Sequence, residues 1–159
     1  MGGVLTSVPV EVSRDDAGRQ ILPRPLVGRV VLVDDMYDDA VMLAALLAPL
    51  EANIVVARSA AEALAMVDEQ VADLVVTDLN MPGASGLDLT RSLRKRLDVP
   101  AVIFITGSTL AADKITAFEL GAAAYLQKPV DVGYLIGLAR EILRVRRAKR
   151  TNDATNGRR

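Results

Sequence analysis

Polar side chains suited to phosphoryl chemistry follow four of the apolar runs in this sequence. Asp34 and Asp35 follow the first run, and Asp78 follows a later one. Thr106 ends the next run, and Lys128 comes shortly after the last. In an open α/β sheet, ligands bind at the carboxyl ends of the strands. If the runs are parallel strands, we expect these five side chains to converge on one edge of the sheet.

The three aspartates would need a cation if they meet. Two unit charges about 4 Å apart repel by about 4 kcal/mol at an effective dielectric constant of about 20. Mg²⁺ prefers oxygen ligands and takes one or two carboxylates together with a substrate phosphate, which leaves one aspartate free as a nucleophile. The Lys128 ammonium and the Thr106 hydroxyl can stabilise charge on the transferred group. The pattern predicts Mg²⁺-dependent phosphoryl transfer, after which Thr106 and Lys128 are pulled toward the new charge.

Each of these residues alone has a purely structural explanation. A single Asp after a strand commonly starts a turn or caps a helix. Thr106 can end a strand as a turn residue, and Lys128 can be a solvated lysine. Tyr125, in a run built from Ala and Leu, is by itself more typical of a core. The prediction therefore depends on their combination at four strand ends.

Five short apolar runs separated by helix-length segments predict the elements that position these residues. The runs recur at intervals of about 20 to 28 residues, as in strand, helix, strand repeats. The predicted strands are 30–33, 54–57, 74–77, 102–105 and 123–126. Helices are predicted over about 39–50, from Ser59 with a capping box to Glu62, over about 86–97, from about 111 to Gly121, and from Asp131. We predict an α/β fold, a doubly wound five-stranded parallel sheet with helices on both faces.

Composition excludes several kinds of site. The chain has 159 residues, 51% of them apolar, which suits one domain with a buried core. It contains no Cys and no His, which removes disulfides, thiolate nucleophiles, Cys/His zinc sites and His-based triads. No uncharged apolar run is long enough for a membrane span, and no signal-peptide pattern opens the chain. We predict a soluble cytoplasmic protein.

Charge and composition suggest three parts. Residues 1–27 are predicted to be a flexible N-terminal extension, 28–147 the domain, and 148–159 a basic C-terminal tail. Residues 1–139 carry 11 basic and 18 acidic side chains, a net −7, whereas 140–159 carry 8 basic and 2 acidic, a net +6. We interpret the basic cluster as the solvated end of a last helix, placed favourably against its dipole. Nucleic-acid binding is the weaker interpretation, because no aromatic residues interleave with the charges.

Four sequence motifs, in order, resemble the receiver domain of bacterial two-component response regulators. The similarity runs from about Arg29 to Arg147. The motifs are VVLVDD at 30–35, VVTDLNMPGASG at 75–86, FITGS at 104–108 and GAAAYLQKP at 121–129. The resemblance implies a flavodoxin-like strand order, 2-1-3-4-5. Together the four motifs are highly specific for this family.

The resemblance also implies a role for each site residue. Asp78 would be the phosphoacceptor, and Thr106 and Lys128 would hold the phosphoryl group. Tyr125 would be an aromatic switch that follows Thr106, and the small Gly107 would leave room for the phosphodonor. The implied Mg²⁺ ligands are Asp34 (through water or as an outer ligand), Asp35, Asp78 and the backbone carbonyl of Asn80.

Partners follow from the same resemblance. The phosphodonor would be a histidine kinase or a histidine phosphotransfer protein, and the output an unknown protein target, with a homodimer as a candidate assembly. The chain would catalyse only its own phosphorylation and dephosphorylation and would not be an enzyme in the ordinary sense. Because only about ten residues follow the predicted last helix, we expect a stand-alone receiver. The alternative is a receiver fragment of a larger hybrid kinase or multidomain regulator.

Other functions fit the sequence less well. An aspartate-nucleophile phosphohydrolase usually has a second Asp two residues after the nucleophile, where this chain has Asn80. A degenerate receiver that works only as an interaction module would be expected to lack one of the key residues, and all are present. No strand is followed by a P-loop or a dinucleotide-binding glycine motif.

Overall fold

The computed structural model describes residues 28–157 and, before them, 13–14, 16–18 and 20–21. In the part before residue 28, the two-residue strands Ser13–Arg14 and Gln20–Ile21 pair in an antiparallel arrangement. Most of the predicted extension 1–27 lies outside the described residues, as do the last two residues of the predicted tail. The division into 1–27, 28–147 and 148–159 therefore stays a prediction.

Five parallel strands form the central sheet. The strands are β1 (Arg29–Val33), β2 (Asn53–Ala57), β3 (Leu74–Asp78), β4 (Ala101–Thr106) and β5 (Ala124–Gln127). Their order across the sheet is β2-β1-β3-β4-β5, and every neighbouring pair is parallel. The expected fold class and the 2-1-3-4-5 order are confirmed, and each predicted strand boundary lies within one residue of the observed one.

Within the described ranges, five α-helices connect and cover the strands. They are α1 (Tyr37–Leu46), α2 (Ala60–Glu69), α3 (Gly86–Leu93), α4 (Ala111–Glu119) and α5 (Val132–Asn156). The Ser59 hydroxyl accepts from the backbone N–H of Glu62, and Asp131 caps α5 by accepting from Tyr134. Gly121 ends α4 in the left-handed conformation at φ 87°. The predicted terminus residues are thus confirmed, but the capping box at Ser59 is only half formed, because the Glu62 carboxylate accepts from the N–H of Arg58 rather than from that of Ser59.

Three helix ends differ from the sequence prediction or refine it. After α1 the chain tightens into a 3₁₀ turn at Ala48–Leu50, where Pro49 cannot continue the α-helix. α3 ends at Leu93, four residues before the predicted end, because Leu93 is its last buried side chain and Leu97 is fully exposed. α5 extends through Asn156, so most of the segment predicted as a tail is helical.

Alternate residues of the strands face two separate cores. Val31 and Val33 pack with Val75 and Phe104 on the side covered by α2, α3 and α4. Their sequence neighbours face the opposite core, which includes Leu135, Ala139 and Leu143 of α5 and the residues Val30, Leu32, Leu74, Val76, Ile103 and Ile105. All five residues of β1 are buried. Burial on both faces explains why the strands read as continuous apolar runs.

An ionic cluster fastens α5 to the end of the sheet where the strands begin. Asp73, only 3% exposed, accepts from the backbone N–H of Arg29 at 2.8 Å. Its other carboxylate oxygen lies 2.7 Å from Arg150 Nη1. Asp98 pairs with Arg146 at 2.9 Å and with Arg150 at 3.3 Å. The basic end of α5 is therefore partly used inside the molecule rather than fully solvated.

Within the described ranges, no helix combines the length and the apolar character that crossing a bilayer requires.

Candidate functional site

The sheet brings the predicted site residues to one edge. Asp34 follows β1 directly, Asp78 is the last residue of β3, and Thr106 is the last residue of β4. In the register of the sheet, Asp78 lies opposite Ile105, so Thr106 is one position further along the neighbouring strand. Lys128 immediately follows β5, and its N–H donates to the Thr106 carbonyl at 2.8 Å. Parallel pairing explains this convergence, because all the carboxyl ends lie at the same edge.

Three carboxylates cluster at this edge. Asp34, Asp35 and Asp78 each place a carboxylate oxygen within 4.8 Å of the others. The Asp34 and Asp78 side chains are 15% and 14% exposed, whereas Asp35 is exposed to solvent. The group is thus half-enclosed and open on the Asp35 side. Closely spaced carboxylates that point at one region are a suitable donor set for a hard divalent cation.

Lys128 supplies the positive charge in the described structure. Its ammonium donates to Asp78 Oδ2 at 3.1 Å and lies 3.8 Å from Asp34 Oδ2. Partial burial by itself lowers the pKa of Lys128, but the hydrogen bond to Asp78 and the charges of the neighbouring aspartates raise it overall. The ammonium is therefore held in its charged form at the point where negative charge collects.

The second oxygen of each paired aspartate is held by the backbone. Asp34 Oδ1 accepts from the N–H of Met36 at 2.9 Å, and Asp78 Oδ1 accepts from the N–H of Asn80 at 3.2 Å. These turn contacts fix both carboxylates with Oδ2 directed toward Lys128. Burial raises the pKa of Asp34; the Met36 N–H and Lys128 oppose this rise, and the Asp78 and Asp35 charges add to it.

This raised pKa gives a testable pH dependence. In Mg²⁺-free buffer at about pH 7, the Asp34→Asn variant is expected to unfold at a higher urea concentration than the unchanged protein. Because the pKa of Asp34 is raised, its ionised carboxylate is less favourable in the folded protein than in the unfolded chain. The contribution of protonated Asp34 to the free energy of unfolding is therefore present at low pH and is lost as the pH rises through the folded pKa. The advantage of the variant should shrink as the pH falls. A constant advantage at every pH would contradict this assignment.

Thr106 and Tyr125 occupy neighbouring strands on the α4 side of the site. Thr106 is fully buried, and its Oγ1 accepts from the N–H of Ser108 at 3.0 Å. The Tyr125 ring packs against Phe104, with centroids 6.3 Å apart. Its buried hydroxyl lies near the Ser108 hydroxyl, but none of its contacts with described residues meets hydrogen-bond distance and angle. Burial raises the pKa of Tyr125, and the Asp113 carboxylate adds to the effect against a partial offset from the Ser108 hydroxyl.

Most predicted site residues meet, but their functional roles stay predictions. The aspartates and Lys128 form one cluster, and Asn80 joins it through its backbone N–H. Thr106 lies at the same edge and is linked to Lys128 through the backbone. Sequence reasoning missed the side-chain contact between Ser108 and Asp113. Their separation of five residues matches no capping motif, so no sequence signal could have identified it.

A family model for the response regulator receiver domain matches residues 30–140. The chain belongs to the response regulator receiver family. This is a two-component signalling family rather than a family of ordinary enzymes, and receiver domains of response regulators interact with kinases. The matched range includes every residue of the carboxylate and Lys128 cluster.

Relatives of this receiver domain include longer response regulators. Residues of the chain are 39% identical over 115 positions to the sensory transduction protein RegX3 of Mycobacterium tuberculosis, covering 72% of this chain and 50% of that protein. They are 34% identical over 118 positions to the transcriptional regulatory protein CpxR of Escherichia coli, covering 74% and 50%. The chain therefore spans about half the length of the curated relatives it matches.

Solved receiver structures share the fold along almost their whole length. A response regulator receiver protein from Pseudomonas putida is 32% identical with a TM-score of 0.69, covering 72% of this chain and 97% of that one. A receiver domain protein from Clostridium thermocellum is 28% identical with a TM-score of 0.71, covering 77% and 98%. The receiver domain recognised from sequence motifs is thus confirmed by similarity in sequence and in structure.

Proposed function

We propose that this receiver domain is a phosphorylation switch that accepts a phosphoryl group on Asp78 in the presence of Mg²⁺. The observation that carries the proposal is the position of the Lys128 ammonium, 3.1 Å from Asp78 Oδ2 and 3.8 Å from Asp34 Oδ2, at the edge where three carboxylates meet. A negatively charged group transferred to Asp78 would arrive beside this fixed positive charge. The exposed Asp35 side leaves a path from solvent.

The donor set fits a magnesium ion. Oxygens of Asp34, Asp35 and Asp78 lie within 4.8 Å of one another, and carboxylates are the ligands that Mg²⁺ prefers. Asp35 and Asp78 would hold the ion, with Asp34 acting through water and the Asn80 carbonyl as a backbone ligand. When bound, Mg²⁺ neutralises part of the charge on a phosphoryl group.

The proposed reaction transfers one phosphoryl group from a phosphohistidine to Asp78. The Asp78 oxygen forms a bond to phosphorus while the phosphorus–nitrogen bond breaks, and the leaving imidazole nitrogen keeps the bonding electrons. Lys128 orients Asp78 and offsets the charge of the transferred group. Thr106, at the next strand end, is the proposed hydroxyl donor to the product, and Tyr125 the proposed switch aromatic. The product is a high-energy aspartyl phosphate.

The proposed partners are a histidine kinase or histidine phosphotransfer protein and a downstream protein target, with a homodimer as one form of output. A stand-alone receiver and the receiver part of a larger hybrid kinase or multidomain regulator share this site chemistry. Nucleic-acid contact is less favoured, because Arg144 pairs with Glu141, and Arg146 and Arg150 pair with Asp98. These arginines would have to leave their carboxylate partners before they could contact phosphates.

The direct test is incubation of the full chain with acetyl phosphate and Mg²⁺, followed by intact-mass measurement. We expect a mass increase of one phosphoryl group that is lost in hydroxylamine, as an acyl phosphate requires. The same incubation with a chelator in place of Mg²⁺ should give no increase. A modification that survives hydroxylamine would place the group on another kind of side chain and overturn the proposal.

The Asp35→Asn variant is expected to bind Mg²⁺ at least about tenfold more weakly, because an exposed carboxylate ligand becomes a neutral amide. Titration calorimetry of the full chain measures this affinity. Asp38→Asn is the matched control, since Asp38 is also exposed but lies in the first turn of α1 outside the cluster. Equal loss in both variants would indicate a general charge effect and contradict the ligand role of Asp35.

A further inference from the structure

Ser108 joins three elements around Thr106. Its backbone N–H donates to Thr106 Oγ1 at 3.0 Å, and its hydroxyl donates to Asp113 Oδ2 at 2.8 Å. Its carbonyl accepts from Gln127 Nε2 at 3.3 Å. Thr106 ends β4, Asp113 lies in the first turn of α4, and Gln127 ends β5. One residue therefore connects the end of β4 to both following elements.

The start of α4 depends on Ser108. α2, α3 and α5 each begin with a residue whose side chain accepts from a first-turn N–H, whereas Met36 at the start of α1 makes no such bond. In the described structure Leu110, at the same position of α4, makes no such bond. The Ser108 hydroxyl instead accepts from the Leu110 N–H at 3.3 Å and reaches Asp113. The position of α4 is thus coupled to Ser108 rather than fixed by its own cap.

Engagement of Thr106 by a phosphoryl group would disturb these bonds. The Thr106 hydroxyl oxygen is at present the acceptor for the Ser108 N–H. If the Thr106 side chain turns toward a phosphoryl oxygen on Asp78, that half-buried N–H loses its partner, and an unpaired buried donor is costly. The loop that follows β4 must then move to satisfy it. Movement of Ser108 would draw its hydroxyl away from Asp113.

The Tyr125 hydroxyl lies near the same bonds. It is buried, and none of its contacts with described residues meets hydrogen-bond distance and angle. Burial raises the pKa of Tyr125; the Asp113 charge adds to this rise, and the nearby Ser108 hydroxyl opposes it. Movement of Ser108 would therefore change the surroundings of Tyr125 as well as those of Asp113.

We infer that the hydrogen bond between Ser108 Oγ and Asp113 Oδ2 is a latch that holds α4 in its resting position and opens when Thr106 engages a phosphoryl group on Asp78. The inference rests on the proposed function. Ser108 and Asp113 are positioning residues, because they act through Thr106 and touch no reacting atom. The latch links the charge on Asp78 to the position of α4.

The test is a beryllofluoride titration of the full chain with Mg²⁺, in which the bound phosphoryl mimic is measured by ¹⁹F NMR. Ser108→Ala and Asp113→Ala are each expected to bind it about two- to tenfold more tightly, since each loses the Ser108–Asp113 hydrogen bond of the resting state. Ser108→Ala also loses the longer bond from the Leu110 N–H. The Ser108→Ala/Asp113→Ala double variant should gain no more than Ser108→Ala alone, because the bond through which Asp113 acts is already absent there.

Two further variants separate the latch from a merely structural role. Ser108→Thr keeps the hydroxyl and should restore the affinity of the unchanged protein. Thr116→Ala is the matched control, because the Thr116 hydroxyl on α4 donates to Ala112 within its own helix and makes no other hydrogen bond among the described residues. It should leave the affinity unchanged. Thermal unfolding identifies any variant that is not folded. If one alanine variant does not fold, the other still tests the latch, because each removes the Ser108–Asp113 hydrogen bond.

The outcomes are distinct. If the unchanged protein binds beryllofluoride but both alanine variants bind it equally or more weakly, the latch is overturned and the proposed function stands. If the two gains multiply in the double variant, Ser108 and Asp113 act independently and the latch is also overturned. If the unchanged protein binds no beryllofluoride, the proposed function itself fails, and the latch with it.

Discussion

Replacement of Asp78 by Asn is expected to abolish phosphoryl incorporation, with a loss of at least about a thousandfold in rate. Asp78 Oδ1 is already held by the Asn80 N–H, and Oδ2 faces the Lys128 ammonium beside the other carboxylates. An Asn side chain can keep this shape, but its neutral amide is a poor nucleophile. Intact-mass measurement after incubation with acetyl phosphate and Mg²⁺ gives the readout.

Loss of folding would be the trivial explanation for an inactive Asp78→Asn variant. The substitution removes one negative charge from a cluster of three, so we expect no loss of stability in Mg²⁺-free buffer. Asp38→Asn, an exposed substitution in α1, should be phosphorylated like the unchanged protein. Hydroxylamine-sensitive phosphoryl label that persists in Asp78→Asn would assign the phosphoacceptor to a different aspartate.

The Gly86→Ala variant is expected to lose about 2 to 4 kcal/mol of unfolding free energy and to be phosphorylated poorly. A methyl group on Gly86 would lie 2.3 Å from the Asp78 carbonyl oxygen and 3.1 Å from the Phe104 ring. The Gly86 N–H also donates to the Leu79 carbonyl at 2.8 Å, which fixes α3 against the end of β3. A backbone oxygen cannot move aside as a flexible side chain can. The end of β3, which carries Asp78, must therefore shift.

Gly137→Ala provides the matched control for this substitution. Gly137 lies on the exposed face of α5, and an added methyl group would meet nothing within 4 Å. Alanine should stabilise the helix by about 0.5 to 1 kcal/mol. Urea unfolding of both variants separates the steric effect from the general effect of replacing glycine. Equal stability of Gly86→Ala and the unchanged protein would contradict the close approach of α3 to β3.

The sheet could be predicted from sequence because its strands are buried on both faces. Val30 and Val31 face opposite cores, so both must be apolar, and the resulting runs mark each strand to within one residue. Convergence of Asp34, Asp78 and Lys128 then follows from parallel pairing. The strand order did not follow from the runs themselves. It came from the resemblance of the motifs to a known family.

Features that depend on distant contacts could not be predicted. The early end of α3 reflects where burial stops, at Leu93, although the apolar Leu97 continues the helical pattern. Arg150 pairs with Asp73, a residue 77 positions earlier in the chain, and no local pattern indicates that contact. The basic segment that contains Arg150 was therefore interpreted as solvated. The Ser108 to Asp113 contact depends on the path of a loop, for which no residue pattern gave a signal.

The length of α5 has a mechanical consequence. The helix has 25 residues and begins just after Lys128, so it is about 37 Å long and starts at the rim of the aspartate cluster. Arg146 and Arg150 tie its far half to Asp98 beyond the opposite end of the strands. Its buried side chains Leu135, Ala139 and Leu143 pack on the sheet between these two ends. The turns beyond Arg150 are exposed, so a protein bound there would lie at the far end of this helix from the aspartate cluster.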